Sequence, residues 1–435
     1  MRRYFAFADH NTNYRQETVA GLTTFLTMAY IIIVNPAILE AAGIPKGPST
    51  TATILSAAFG TLIMGFHARR PFAIAPYMGE NAFIAFTVVK VLGFPWQTAL
   101  GAIFVAGVLF TLLTLLGIRG WMANAIPLSL KYSFAVGIGF FLTFIGLNET
   151  GIVVLGLKGA PVALGAVTSP PVLLAIAGFL LIVWLMAKRM HGAILIGILT
   201  VTLLSILFGL VPAPRSIVAF PPHPGPIFGQ LDILGALTPK AFPIVIIIFV
   251  LAFVDTVGTL VGLSSRAGLL NDRGNLPEIE KPMLADALAN LIAPVLGTTT
   301  SGVYIESAAG IEAGGRTGFT ALVTAALFLL SLLFVPIFTV VPPHAYGIAL
   351  IVVGMLMVTP VTKLDFTDHT ELIPAFLTIV LISFTYNIGV GITAGLLIYP
   401  LLKVLTGRAR EVTVPMWLLA AMALTFYVAY LQPHR

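Results

Sequence analysis

The sequence predicts an all-α polytopic membrane protein. Of its 435 residues, 58% are hydrophobic and only 9% are charged, whereas about 25% of the residues of an average globular protein are charged. The mean hydropathy is +1.02, and apolar runs of spanning length, roughly 17 residues or more, follow one another along the chain. We therefore assign the net charge of +6 to basic residues in cytoplasmic loops rather than to nucleic-acid binding. The chain has no cysteine, which excludes disulfides and thiolate metal sites.

The hydropathy pattern predicts fourteen spans, seven in each half of the chain. In the first half, residues 1–212, we expect them at 18–36, 49–66, 71–89, 97–117, 129–147, 171–187 and 192–212. An exterior proline-rich connection at 213–241 leads to the second half, residues 242–410, with spans at 242–264, 283–297, 299–315, 318–340, 345–360, 371–387 and 389–406. The last part, residues 411–435, contains an apolar segment at 414–431 that the pattern allows either to span or to lie along the interface.

The distribution of basic residues predicts a cytoplasmic N-terminus. With this orientation, 17 Lys and Arg residues, Lys403 among them, fall in interior loops, and five fall outside: Lys46, Lys90, Lys158, Arg215 and Lys240. An odd number of spans in each half makes the halves antiparallel, which is typical of inverted-repeat transporters. Similar glycine turns at Gly43 and Gly268 suggest an offset of 225 residues between the halves, which would pair Glu306 with Asn81.

Three polar segments interrupt the apolar pattern, and each carries an acid near the expected midpoint of a span: 75–83 (APYMGENAF) with Glu80, 253–262 (FVDTVGTLVG) with Asp255, and 298–318 (TTTSGVYIESAAGIEAGGRTG) with Glu306. Irregular backbone is tolerated at membrane depth only where it is buried in protein or lines a cavity. A carboxylate at that depth usually marks a substrate or ion path. Each acid alone could be structural and paired with an amide or hydroxyl group, but three at similar depth favour a common site.

The charge of this site restricts its ligand. We expect no Lys, Arg or His near the midplane, so an anion would find no fixed positive charge. Ionised carboxylates accept hydrogen bonds, which suits a neutral ligand rich in N–H donors, such as a heterocyclic base. A proton carried with the substrate would then reside on a carboxylate, and Na⁺ is an alternative co-ion. Tyr304 could present its ring or its hydroxyl to a planar ligand, with ordinary packing as an equal alternative.

The chain resembles the nucleobase–cation symporter-2 (nucleobase/ascorbate transporter) superfamily, and most closely its AzgA-like branch of adenine, guanine and hypoxanthine permeases. The resemblance is carried by YRQETVAGLTTFLTMAYIIIVNP (14–36), APYMGENAFIAF (75–86), DTVGTLVG (255–262) and GVYIESAAGIEAGGRTG (302–318). It implies two inverted seven-span repeats, a core domain of spans 1–4 and 8–11, and a gate domain of spans 5–7 and 12–14. It further implies short antiparallel strands in spans 3 and 10, with a purine base held between them during proton-coupled transport.

The resemblance also implies roles for individual residues. Glu306 matches the tenth-span acid that holds the base, Asp255 the eighth-span acid, and Asn81 the third-span amide. The chain departs from the family pattern at Ala252, where many relatives have a second acid, and at Glu80, where an apolar residue is commoner. The expected substrate-binding residues are Glu306, Asp255, Asn81, Tyr304 and Glu80. The expected proton-coupling candidates are Glu80, Asp255 and Glu306, and we expect no catalytic residue and no metal ligand.

Together these observations predict a multi-pass transporter of the cytoplasmic membrane that imports adenine, guanine or hypoxanthine by symport with protons. Its expected partners are the base and the lipid bilayer, without a cofactor or nucleic acid, and a homodimer is an open alternative. Uracil or xanthine could replace the purine, and an anion carrier of the same fold is disfavoured by the deep carboxylates. An intramembrane enzyme would usually show clustered aspartates for Mg²⁺, which the sequence lacks, and the broken-helix site does not favour a channel.

The predicted orientation can be tested by cysteine labelling in intact cells, since the chain has no native cysteine. Cysteines introduced at Arg3 and Asn271 should resist a membrane-impermeant maleimide, and a cysteine at Lys158 should react. Labelling of either interior position in unbroken cells would contradict the topology.

Overall fold

The computed structural model of the chain describes residues 1–116, 126–157, 160–269 and 276–430. Lys158 and Asn271, two positions of the labelling test, lie outside these ranges. The elements of the first half are α1 (Tyr14–Met28), α2 (Ile31–Ala41), α3 (Lys46–Ile63), β1 (Ile74–Pro76), α4 (Met78–Ala82), α5 (Trp96–Leu115), α6 (Leu128–Glu149), β2 (Val153–Leu157), β3 (Ala160–Leu164), α7 (Pro170–Ala187) and α8 (Ala193–Leu207). π-Helical turns extend α3 over Met64–Ala68 and α4 over Phe83–Val91.

The second half follows the same plan. Its elements are α9 (Ile233–Ala236), α10 (Phe242–Arg266), α11 (Glu280–Leu296), β4 (Ser301–Val303), α12 (Ser307–Glu312), α13 (Gly318–Ser331), α14 (Val335–Thr339), α15 (Pro343–Val358), α16 (His369–Phe384), α17 (Ile388–Leu405) and α18 (Val414–Tyr430). Short 3-10 turns lie at Leu332–Phe334, Thr359–Lys363 and Ala409–Glu411. The apolar segment of undecided position is thus helical over α18, which packs against α17 and α10.

Eight helical stretches of the described chain are long and apolar enough to cross a membrane: Tyr14–Ala41, Lys46–Ala68, Trp96–Leu115, Leu128–Glu149, Pro170–Ala187, Gly318–Thr339, Pro343–Lys363 and Ile388–Leu405. Shorter apolar helices lie at Ala193–Leu207, Phe242–Phe253, His369–Phe384 and Val414–Thr425. These stretches fall on predicted spans or on the C-terminal apolar segment. The chain is therefore a helical membrane protein, and the count of fourteen stays a prediction.

The helices pack in two groups. Helices α1–α5, α10, α11 and α13 contact mainly one another, and α6–α8 with α15–α17 form the second group. Strands β2 and β3 pair antiparallel as an exposed hairpin between α6 and α7, with Val153 opposite Leu164. The sequence analysis did not anticipate this hairpin.

Strands β1 and β4 connect the two halves of the chain at its centre. They pair antiparallel, with Ile74 opposite Val303 and Pro76 opposite Ser301, and every residue of both strands is buried. The backbone N–H groups of Tyr77 and Tyr304 extend the ladder by one hydrogen bond of 2.9 Å at each end. Both strands lie within the segments that the sequence analysis assigned to the third and tenth spans.

The outer edges of this two-stranded ribbon are satisfied by side chains. On the β1 edge, the hydroxyl of Thr61 in α3 donates to the carbonyl of Ile74 (3.0 Å) and accepts its N–H (2.9 Å). On the β4 edge, Asn290 and Asp286 of α11 accept the N–H groups of the first and third strand residues, at 2.9 and 3.1 Å. Since a buried backbone group without a partner is costly, these side chains permit extended backbone deep inside the protein.

The strands also correct the offset between the halves. The first residues of β1 and β4, at positions 74 and 301, are 227 residues apart, and so are Tyr77 and Tyr304. The glycine turns had suggested 225. Glu306 therefore corresponds to Gly79 in the first half and not to Asn81.

Lys403 is a second correction, because the sequence placed it in an interior loop and the structure buries it completely within α17. Its ammonium group lies 2.8 Å from Glu371 and 2.9 Å from Glu411. Hydrogen bonds from Arg408 and Lys403 lower the pKa of the Glu411 carboxyl to about 2. Glu411 therefore stays ionised near neutral pH, and this ion-pair network fixes the connection between α17 and α18.

Candidate functional site

Glu306 lies at the junction where β4 gives way to the short helix α12. The hydroxyl of Tyr30, which occupies the break between α1 and α2, donates to Glu306 Oε1 at 2.6 Å. Glu306 is partly exposed, and the preceding Ile305 is 64% exposed. Because so apolar a side chain is uncovered in the middle of the polypeptide, this segment borders open space. The carboxylate of Glu306 can therefore meet a ligand while Tyr30 holds its orientation.

Two tyrosine rings flank the strand pair in equivalent positions. Tyr77 follows β1 and Tyr304 follows β4, and their rings are nearly parallel (10°) with centroids 6.4 Å apart. The Tyr304 hydroxyl donates to the carbonyl of Pro76 at 2.5 Å. Gly302 allows the Tyr77 ring to lie against β4, because a Cβ atom at this position would collide with the ring. Of the two predicted roles for Tyr304, the hydroxyl is used within the protein, which leaves the ring face.

Glu80 and Asn81 lie on α4, directly after β1, and are almost fully buried, with 1% and 0% exposure. Within the described ranges, neither oxygen of Glu80 and not the Oδ1 atom of Asn81 has a hydrogen-bond partner. Thr300, whose hydroxyl also lacks a partner of suitable geometry, lies beside the Glu80 carboxyl. Buried polar atoms are nearly always paired in proteins, so a cluster of unpaired ones is the mark of a functional region.

Asp255 lies in the middle of α10 and is partly exposed. The next residue, Thr256, has its hydroxyl 2.7 Å from Asp286 Oδ2 on α11. Asp286 also accepts the backbone N–H of Val303. It therefore joins α10, α11 and β4, and it confers on this corner of the site a second carboxylate within electrostatic range of Asp255.

The structure brings the five predicted site residues together around the strand pair. Tyr304 lies within electrostatic range of Glu306, Glu80 and Asp255. Glu80 in turn interacts with Asp255 and Asp286. The charged or titratable neighbours that shape the electrostatics of the three acids are other acids and tyrosines. The site is rich in acceptors and aromatic surface.

Sequence reasoning missed Tyr30, Asn35 and Tyr77 as parts of this site. Asn35 donates from Nδ2 to two threonine hydroxyls and accepts from Asn81 at 2.8 Å. Its position inside the apolar run AYIIIVNPAIL was a visible signal, since an amide in such a run requires partners. The contact of Tyr30 with Glu306 joins residues 276 positions apart and has no local signature.

The site faces the second group of helices. The α carbon of Gly79 lies so close to Ile138 of α6 that a Cβ atom at this glycine would be 2.8 Å from the Ile138 side chain. A few residues further on, the Phe86 ring packs edge-on against Phe141 and Tyr386, with centroids 6.4 and 5.6 Å away. The polar cluster therefore lies at the boundary between the two helix groups.

The comparisons with known proteins agree with this architecture. A model described as a permease family matches residues 15–395. A putative permease of Methanocaldococcus jannaschii is 47% identical over 430 residues, covering 99% of this chain and 98% of that protein. The guanine/hypoxanthine permease PbuG of Bacillus subtilis is 41% identical, with coverage of 98% and 99%. The adenine permease AdeQ of Escherichia coli is 40% identical, with coverage of 97% and 95%.

Solved structures of similar fold are more distant in sequence. The transmembrane domain of the cyanobacterial bicarbonate transporter BicA has a TM-score of 0.66 at 18% identity, covering 89% of this chain and 98% of that one. SLC26A9 has a TM-score of 0.64 at 12% identity, with coverage of 91% and 66%. These likenesses establish the fold alone. From the family match and the full-length relatives, the chain belongs to the permease family of nucleobase/ascorbate transporters and is a membrane transport protein rather than an enzyme.

Proposed function

We propose that this chain imports purine nucleobases across the cytoplasmic membrane by symport with protons. The observation that carries the proposal is the Glu306 carboxylate, oriented by Tyr30 and open to a ligand at the junction of β4 and α12. Adenine, guanine and hypoxanthine are planar and carry N–H donors that a carboxylate can accept. The relatives named for adenine and for guanine and hypoxanthine, 37–41% identical to this chain, support this substrate class.

The neighbouring groups extend the same chemistry. Asn81 and Asp255 offer further acceptors, and the stacked rings of Tyr77 and Tyr304 offer flat apolar surface beside them. A planar base can pack its face against an aromatic ring while its edge forms hydrogen bonds. Uracil or xanthine has similar chemistry and remains the alternative substrate that uptake measurements distinguish.

An anion substrate is the second candidate that the fold allows, because structures of similar fold include a bicarbonate transporter. The electrostatics of the site oppose it. Glu80 lies within range of Asp255 and Asp286, so an anion entering here would meet negative or potentially negative groups. Like charges at close range in a poorly solvated site repel strongly.

We further propose that transport uses alternating access between the two helix groups. The first group would form the moving core and the second the gate, and residues 1–212 and 242–410 would be inverted repeats of seven spans each, with the N-terminus in the cytoplasm. The common offset of 227 residues between the strands and between the tyrosines supports such a repeat. In inverted-repeat transporters, broken helices near the midplane form the binding site between the repeats.

Glu80 is the proposed proton carrier. Its two carboxylate oxygens are buried without a hydrogen-bond partner among the described residues, and no ion pair fixes its charge. Only a proton or a co-ion can neutralise a carboxylate so placed. At Ala252 the chain lacks the second eighth-span acid of many relatives, and Glu80 would supply the titrating group from the facing span.

The function can be tested by uptake into proteoliposomes that contain the purified protein. With an imposed inward proton gradient, labelled adenine, guanine or hypoxanthine should accumulate, whereas uracil and sulfate should not. An imposed Na⁺ gradient at constant pH should not drive accumulation. Uptake of sulfate but of no base would contradict the proposal, and uptake driven by Na⁺ would contradict proton coupling.

Replacing Glu306→Gln should weaken binding of the preferred purine by roughly 10- to 100-fold, the order expected for the loss of a charge-assisted hydrogen bond. The amide replaces one acceptor oxygen by a donor that would face the N–H of the base. Isothermal titration calorimetry measures the change. Glu312→Gln, an exposed acid at the end of the same helix, is the matched control and should bind like the wild type. Unchanged affinity of Glu306→Gln would remove Glu306 from the site.

Replacing Glu80→Gln should separate binding from coupling. Purine binding and exchange between equal base concentrations should persist, and uphill accumulation driven by a pH gradient should fail. If Glu80 only stabilises α4, the variant should instead show a reduced yield of folded protein. Normal yield with undiminished uphill uptake would show that the coupling proton is carried elsewhere.

A further inference from the structure

We propose that Asn35 is a positioning residue that holds the Asn81 amide so that it presents a hydrogen-bond acceptor to the ligand. This inference rests on the proposed function, because its ligand is the transported base. It adds that the polarity of the Asn81 contact is set outside the site, by a relay of hydrogen bonds through Thr53 and Thr298.

The relay begins at Thr53 on α3. Its hydroxyl donates to the carbonyl of Ser49 at 2.8 Å. Because a hydroxyl group has a single proton, the Thr53 oxygen can then only accept. Asn35 lies 2.7 Å away with its Nδ2 atom. The group that faces Thr53 must therefore be the NH₂ of Asn35, and this contact fixes which way the amide of Asn35 is turned.

Thr298 provides a second anchor for the same amide. Its hydroxyl oxygen lies 2.9 Å from Asn35 Nδ2, in the segment that leads into β4. Both N–H bonds of Asn35 are then occupied, one on α3 and one next to the strand pair. All these residues are buried. Asn35 can therefore offer only its carbonyl oxygen to a third partner.

That third partner is Asn81. Its Nδ2 atom donates to Asn35 Oδ1 at 2.8 Å, and its second amide hydrogen faces the sulfur of Met78 at 3.9 Å. The Oδ1 atom of Asn81 consequently points away from Asn35, and it is buried without a partner among the described residues. A turned Asn81 would bring two carbonyl oxygens together at Asn35, which the fixed orientation of Asn35 makes unfavourable.

The consequence for recognition is directional. An acceptor at Asn81 matches a ligand that brings an N–H group to this position, and it disfavours a ligand that brings a ring nitrogen lone pair or a carbonyl oxygen. Sites that hold a polar group ready for a hydrogen bond discriminate strongly against ligands that leave it unpaired. The relay thus contributes to the choice among bases that differ in their donor pattern.

The test compares buried threonines on helices. Thr53→Val and Thr298→Val each remove one anchor of Asn35 with little change in volume. Thr202→Val on α8 is the control, because the hydroxyl of Thr202 is also buried and donates to its own helix at 2.8 Å, without contact to the site. Thr53→Ser keeps the acceptor oxygen and serves as the rescue. Affinity for the purine that the wild type binds best is measured by calorimetry, with thermal unfolding as the measure of stability.

We expect Thr53→Val and Thr298→Val each to weaken binding about tenfold, the order of one lost hydrogen bond. Thr202→Val and Thr53→Ser should stay within about twofold of the wild type on the same scale. In an Asn81→Ala background, Thr53→Val should cause no further loss, since no amide is left to orient. Binding within twofold of wild type in both anchor variants, or a full additional loss in the Asn81→Ala background, would overturn the inference.

Failure of the proposed function gives a different result. If the wild-type protein binds no purine base at all, the assignment of the substrate is wrong, and the inference about a base contact at Asn81 is overturned with it. If the wild type binds a purine and the anchor variants bind equally well, only the role of Asn35 is overturned.

Discussion

The site depends on the pairing of two three-residue strands, Ile74–Pro76 with Ser301–Val303. Each strand interrupts a segment that would otherwise be a membrane helix, and neither could satisfy its backbone alone. The partner strand satisfies the inner edge, and Thr61, Asn290 and Asp286 satisfy the outer edges. Because the two strands come from opposite halves of the chain, their pairing fixes the halves relative to each other. It also places the residues that follow each strand, the tyrosines and the acids, around one space.

The pairing is close to symmetric, and the chemistry built on it is not. Tyr77 and Tyr304 occupy equivalent positions, yet by the same offset Glu306 corresponds to Gly79, and Glu80 corresponds to Ser307. One acid therefore lies open to the site with Tyr30 as its partner, while the other is buried without one. A repeated backbone that carries different side chains can thus separate a group that binds a ligand from a group that exchanges a proton.

The sequence sufficed for the class of the fold and for the location of the site, because hydropathy and the breaks in it are local properties. Glu80, Asp255 and Glu306 were visible as charges in apolar runs, and the structure brings them together. The partners of these groups were not visible: Tyr30 is 276 positions from Glu306, and Asn35 is 263 from Thr298. The burial of Lys403 was missed for the same reason, since its counter-charges Glu371 and Glu411 become neighbours only through packing. The exact offset of the repeats required the strand register, which a resemblance between two glycine turns could not supply.

The distribution of paired and unpaired polar groups gives the site its direction. Asn35, Thr53, Thr61, Asp286 and Asn290 are buried polar residues whose hydrogen bonds hold the strands and α4 in place. Against this rigid background, Glu80 and the Asn81 oxygen stand unpaired. Leaving buried acceptors unsatisfied costs about 1–3 kcal/mol each, and the surrounding network prevents the chain from relaxing to pair them. A ligand with N–H donors in the right places recovers that free energy on binding, whereas a ligand without them does not. The same rigidity that makes the empty site unfavourable is therefore the source of its selectivity.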